Sequence, residues 1–309
     1  MTNFAAEISK RINGDNPGVL SKVLGIFMAL VTAAIGVAFL YVSDYIVAYA
    51  MYFANLNWDV YPGVFSLGSS VISIGLLFAL SRIEGYLAGG EKKHLIRFNR
   101  IGGFDVMSAF VVAMALLAIV TTYMLIATTI SNYIESFNKA IEEYAEAVDT
   151  YKPDEVHYVW DQILYVISIT FAVPISEEFA FRGIVYGSIN RRLNAAWAIG
   201  ISAAVFGLLH GVSIHIGYAL LSGIVIGLCY YAFDSIFVTV LIHAIFNFAG
   251  SGIYELYDIV GVDRSNVPSL YTVKFMLILP AGFFIAKKIE SRKKNKPVFS
   301  LEEVVDEQT

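Results

Sequence analysis

Charge is scarce in this chain of 309 residues. Only 15% of positions are Asp, Glu, Lys or Arg, where soluble domains carry about 25%. Apolar residues make up 57% and the mean hydropathy is +0.66, so a solvated domain with a polar shell is excluded. Cysteine is nearly absent as well. The single Cys229 supports neither a disulfide framework nor a cysteine-based metal site. Nor is there an excess of basic charge: 21 Lys and Arg face 26 Asp and Glu, for a net charge of −5. Without a basic face, nucleic acid is excluded as a partner. What is left is an integral multi-pass membrane protein surrounded by membrane lipid, in the cell membrane if its source is bacterial.

A helix that crosses the hydrocarbon needs about 20 mostly apolar residues. Runs of that kind lie at Val23 to Ser43, Tyr61 to Ser81, Val106 to Ile130, Tyr158 to Ser176, Ala195 to His210, His215 to Tyr231, Ile236 to Tyr254 and Ser269 to Ala286. They predict an all-α polytopic bundle of about eight transmembrane helices. The first run ends without a small-residue cleavage site and is read as a retained span. Cytoplasmic loops are enriched in Lys and Arg, and the cations alternate accordingly. One side collects Lys10, Arg11 and Lys22, then Arg82, Lys92, Lys93, Arg97 and Arg100, then Arg182, Arg191 and Arg192, then Lys287 to Lys296. The other side keeps only Lys139, Lys152, Arg264 and Lys274. Both termini are therefore expected in the cytoplasm.

Three regions follow within one membrane domain. Residues 1–157 hold three spans and an acidic amphipathic outer segment, 158–255 form a core rich in polar groups, and 256–309 carry the last span and a basic-then-acidic tail. In the outer segment, Ile134, Phe137, Ile141, Tyr144, Val148 and Tyr151 recur in steps of three and four with Glu135, Glu142, Glu143 and Glu146 between them. This is helical amphipathicity. Such a helix rests on the bundle or membrane surface, or docks a membrane protein partner through 131–157. The Lys287 to Lys296 cluster suits anionic headgroups, and Val298 to Thr309 reads as a disordered tail.

An ionisable group inside a span is costly unless it is paired or lines a wet cavity, which makes it a site candidate. Such groups gather in the second half: Glu177, Glu178, Arg182, His210, His215, His243 and Asn247. On a helix, Arg182 lies one turn beyond Glu178, while neighbours 177 and 178 diverge by about 100°. Glu178 can thus pair with Arg182, leaving Glu177 free as a general base, its pKa raised by burial. Phe206 lies one turn before His210 and can pack its imidazole. His243 and Asn247 also point together, and the pair suits a developing oxyanion. His215 reads as interfacial. Small-xxx-small spacings at Gly183 and Gly187, Gly207 and Gly211, and Gly223 and Gly227 let helix backbones approach closely. Other intramembrane chemistries lack their signatures. No His-Glu-x-x-His zinc helix, Gly-x-Ser-Gly nucleophile or Gly-x-Gly-Asp half of an aspartyl pair is present, and neither Glu177 nor Glu178 begins a Glu-x-x-His di-iron motif.

Glu-Glu-x-x-x-Arg at 177–182, Phe-x-x-x-His at 206–210 and His-x-x-x-Asn at 243–247 resemble, in order, the three motifs of the CPBP family of intramembrane proteases. That family includes type II CAAX prenyl endopeptidases, lysostaphin resistance protein A-like proteins and bacteriocin self-immunity proteins. The resemblance covers about Tyr158 to Tyr254. It implies an intramembrane endopeptidase acting on a peptide or lipidated protein. Glu177 and His210 would activate water, His243 and Asn247 would stabilise the oxyanion, and Glu178, Arg182 and Phe206 would support them. Glu177, His210 and His243 also match the two-His-one-Glu ligand set of a catalytic zinc. The family is described with one divalent metal and with none, and Asn247 beside His243 favours the metal-free version. Two alternatives stand beside it, a non-catalytic immunity or partner-binding protein of the same family and a proton-coupled transporter.

Depth sets a condition on this site. Counted from the cytoplasmic span ends at about 1.5 Å per residue, Glu177 falls shallow and His210 roughly 20 Å deep. The fifth span is therefore expected to tilt or start deeper, with Arg191 to Asn194 dipping inward below a water-filled cavity open to the cytoplasm.

Overall fold

The computed structural model describes residues 19–87, 94–148, 158–211, 213–263 and 270–294. Lys10, Arg11, Tyr151 and the tail from Val298 to Thr309 lie outside the described residues. Among the described residues every regular element is a helix. In chain order these are α1 (Val19–Phe53), α2 (Pro62–Leu87), α3 (Gly103–Ser131), α4 (Glu135–Val148), α5 (Val159–Asn190), α6 (Ala195–Leu208), α7 (Ser213–Phe233), α8 (Ile236–Val260), α9 (Tyr271–Met276) and α10 (Ile278–Lys294).

Among the described residues six helices are long and apolar enough to cross a membrane: α1, α2, α3, α5, α7 from Ile214, and α8. The chain is an integral multi-pass helical membrane protein. The expected eight spans differ from these six at two places. The fifth run forms α6, a helix of 14 residues, or roughly 21 Å at about 1.5 Å per residue. It returns through a turn at Gly211 (φ +71°) and packs antiparallel on α7. The eighth run is broken at Leu277 into α9 and α10. Pro280 accounts for the break, since it has no N–H for a bond to Met276 and its ring crowds that carbonyl.

The fourth run holds the main correction. Its helix does not end at Ser176 but continues through Asn190 as one element of 32 residues. Every residue from Glu178 to Ile189 is buried, so its charges meet protein and never lipid. Arg182, assigned from the sequence to a cytoplasmic loop, is 1% exposed in the bundle interior. α5 also contains two π-helical stretches, Ser168–Ala172 and Phe179–Val185, on either side of Glu177 and Glu178. α8 contains a third, Phe248–Gly252, directly after Asn247. Single π turns in longer helices are frequent at functional sites.

The two ends of the bundle differ in chemistry. One end is tied by ions. Asp234, in the left-handed conformation after α7 (φ +56°), binds Arg97 and Arg292 through its carboxylate. Arg191 reaches Glu84 at 3.7 Å and Lys288 reaches Asp105 at 2.6 Å. The 94–102 segment closes this end, burying Leu95 and Ile96 against Gly187 and Gly183 of α5. The other end is aromatic and acidic. Tyr61 stacks on Tyr158 at 5.3 Å, with Trp160 alongside, the residue types that settle at a membrane interface. Here the buried Asp161 of α5 accepts hydrogen bonds from the Gly63 and Val64 amides at 2.9 Å. It thereby caps the orphan donors at the start of α2 from another helix.

Candidate active site

α5, α6, α7 and α8 meet around a cavity of about 470 Å³, within the range of small-ligand sites. Close backbone packing makes the meeting possible. A Cβ at Gly223 of α7 would stand 3.0 Å from the Ala203 backbone of α6, and one at Gly207 would stand 3.2 Å from the Ile216 carbonyl. Glu177, Phe206, His210, His243 and Asn247 all line the cavity. Glu178 and Arg182 stand behind its wall.

The adjacent carboxylates have separate tasks, as their angular divergence on the helix predicts. Glu178 is fully buried and accepts from Arg182 Nη1 at 2.8 Å and from His243 Nδ1 at 2.9 Å. Arg182 in turn donates to the Gly223 carbonyl at 3.4 Å and lies 5.0 Å from the Phe206 ring centroid. Because a carboxylate only accepts, His243 must carry a proton on Nδ1. Its Nε2 then faces Glu177 Oε2 at 3.6 Å. Glu177, with 22% of its side chain exposed, presents its carboxylate to the cavity.

His210 is oriented in the same way. Its Nδ1 lies 2.8 Å from the Phe206 carbonyl, which can only accept, so neutral His210 offers the Nε2 lone pair. The Phe206 ring packs edge-on to the imidazole at 4.6 Å, as the one-turn spacing predicts. Asn247 donates one amide hydrogen to the Ile169 carbonyl at 2.9 Å. That carbonyl belongs to the first π-helical stretch of α5, so the irregularity in one helix is satisfied from the next. The second amide hydrogen of Asn247 is available to the cavity it lines.

The continuation of α5 to Asn190 removes the depth conflict. Glu177 lies roughly 20 Å along the helix from Asn190 at about 1.5 Å per residue, comparable with the depth of His210. The cavity also differs from the expected opening at the cationic end. Among its further walls, Tyr144, Tyr165, His215, Tyr218, Tyr254 and Glu255 come from the aromatic and acidic end.

Several of these side chains carried no motif. His215, read as interfacial, lies 4.3 Å from the His210 ring and stacks on Tyr218 at 4.6 Å. Tyr144 comes from α4, whose apolar stripe partly rests on α7. Tyr144 meets Tyr218 and His215 edge-on, while Ile134 and Phe137 stay exposed. The available signals were the stripe containing Tyr144 and the three-residue step from His215 to Tyr218. Among the described residues no three His, Cys, Asp or Glu side chains are grouped so that they could hold a metal ion. The trio Glu177, His210 and His243 therefore does not fit a zinc ligand set in this arrangement.

No curated protein and no solved structure matches the chain. A family model described as type II CAAX prenyl endopeptidase Rce1-like matches residues 159–249, which run from the start of α5 to just past Asn247. Those residues supply every group assigned a role from the three motifs, from Glu177 through Asn247, and nearly all of the cavity floor. Over residues 159–249, under a third of its length, this chain is similar to the Rce1-like type II CAAX prenyl endopeptidases.

Proposed function

We propose that the chain is an intramembrane endopeptidase in which Glu177 and His210 activate water while His243 and Asn247 stabilise the oxyanion. The observation that carries this reading is the division between the two carboxylates. Glu178 is committed to Arg182 and His243, while Glu177 faces the cavity next to His243 Nε2.

A water held by Glu177 and by Nε2 of His210 loses a proton to Glu177 as its oxygen attacks the scissile carbonyl carbon. The carbonyl π electrons move onto oxygen. Imidazolium His243, through Nε2–H, and the second amide hydrogen of Asn247 meet that negative charge in a water-poor site. On collapse the C–N bond breaks and Glu177 returns its proton to the leaving nitrogen, which restores the carboxylate. With His243 charged, Glu177, Glu178, Arg182 and His243 sum to zero, and mutual pairing is what makes charges tolerable in a low-dielectric interior. The fixed Nδ1 bonds of both histidines orient their Nε2 atoms before substrate arrives.

The test compares new peptide termini in membranes from cells expressing the wild type or Glu177→Gln at equal protein level. Termini present only with the wild type are expected, and they identify the substrate. Indistinguishable sets, alongside a phenotype that still requires the protein, overturn the enzyme and favour a partner-binding role.

A further inference from the structure

The cavity and the cationic end lie on opposite sides of a closed floor. Below Glu177, the Glu178–Arg182 pair, Phe181, Ile184 and Tyr230 are at most 2% exposed. Below these in turn lies the ionic belt around Asp234, and none of its residues lines the cavity. The mouth is instead framed by Tyr144, His215, Tyr254 and Glu255. Acids crowd that end, with Glu142, Glu143 and Glu146 on α4 and Asp258 on α8. With Arg182 moved into the bundle interior, the described cations of the closed end, among them Arg82, Arg97, Arg100, Arg191, Arg192 and Lys287 to Lys294, still far outnumber Lys139 and Lys274 at the other. The Lys and Arg bias of short loops sets membrane orientation, with the cation-rich side in the cytoplasm.

We propose that the site is loaded from the extracytoplasmic face, and that its substrate is a polypeptide exposed there rather than a cytosolic, C-terminally lipidated protein. The nature of the substrate rests on the endopeptidase reading, whereas the direction of access stands without turnover. Single-cysteine labelling measures access directly, because the only native thiol, Cys229, is buried. Asp258→Cys marks the mouth end and Lys293→Cys the closed end, both at exposed positions. A membrane-impermeant maleimide is expected to label Asp258→Cys in intact cells, and Lys293→Cys only in inverted vesicles. The opposite pattern overturns the proposal.

A quenched fluorogenic peptide library offered to intact cells and to inverted vesicles then tests the substrate, with Glu177→Gln as background. Cleavage by intact cells supports extracytoplasmic loading, and cleavage confined to inverted vesicles refutes it. If neither preparation exceeds background, the endopeptidase reading fails, and the labelling pattern alone still decides the face of access.

Discussion

Removing the guanidinium of Arg182 would test whether the charge network holds the site together. Arg182 is 1% exposed, pairs with the fully buried Glu178 at 2.8 Å and lies 5.0 Å from the Phe206 centroid. Arg182→Leu keeps bulk but leaves Glu178 with His243 as its remaining ionic partner among the described residues. Breaking a buried pair by deleting one partner costs about 3–5 kcal/mol, whereas replacing both partners by apolar residues is often close to neutral. At about 1.4 kcal/mol per tenfold change, the single variant should open at least a hundred times more readily. Arg182→Leu with Glu178→Leu should recover much of that loss. Cys229, buried in the cluster formed by α3, α7 and α8, serves as the reporter. Its reaction rate with a fluorogenic maleimide in detergent micelles counts excursions to an open state. A single variant within about threefold of wild type, or a double variant as labile as the sum of the two singles, would refute the proposed dependence of Glu178 on Arg182.

Four further outcomes are expected. Gly223→Val forces a branched side chain where a Cβ already meets the Ala203 backbone at 3.0 Å; it should cost about 1–3 kcal/mol by overpacking, read as faster Cys229 labelling. His215→Ala removes the ring between His210 and Tyr218 and should lower kcat roughly tenfold, in line with about 0.5–1.5 kcal/mol per aromatic pair, while His215→Phe should retain most of it. Asp161→Ala strands the Gly63 and Val64 amides and should destabilise by about 1–3 kcal/mol, measured in the same thiol assay. The acidic mouth should raise the KM of a basic peptide several-fold between about 0.01 and 0.15 M salt as the Debye length shortens from about 30 to 8 Å, with no change for a neutral peptide.

Local helix geometry made much of the site legible in sequence. One-turn spacing brought Glu178 to Arg182 and Phe206 to His210, and the divergence of neighbouring positions left Glu177 apart. These are properties of a single helix, and the sequence contains them. The end of α5 was not legible, because Arg182 resembles a loop cation until its surroundings are known. Only the packing of α5 within the bundle shows that it is never exposed. Asp161, Asp234 and Tyr144 were missed for a related reason. Each acts on an element far along the chain, and no short-range spacing records such a partner. Pro280, by contrast, was visible in the eighth run, and its effect on the span was local.

A π turn is a helix that has absorbed one residue too many without breaking. The stretch at Ser168–Ala172 presents a carbonyl, that of Ile169, which is met by Asn247 across the cavity. Asn247 is thus both a strut for α5 and a wall of the cavity, and the two uses cannot be varied independently. Restoring a regular ladder in α5 would turn everything before it by about 100° relative to Glu177. It would also release the amide that α8 now aims across the cavity. An insertion in one helix and a side chain in another therefore behave as one inherited unit, and a change in either should be tolerated only when the other changes with it.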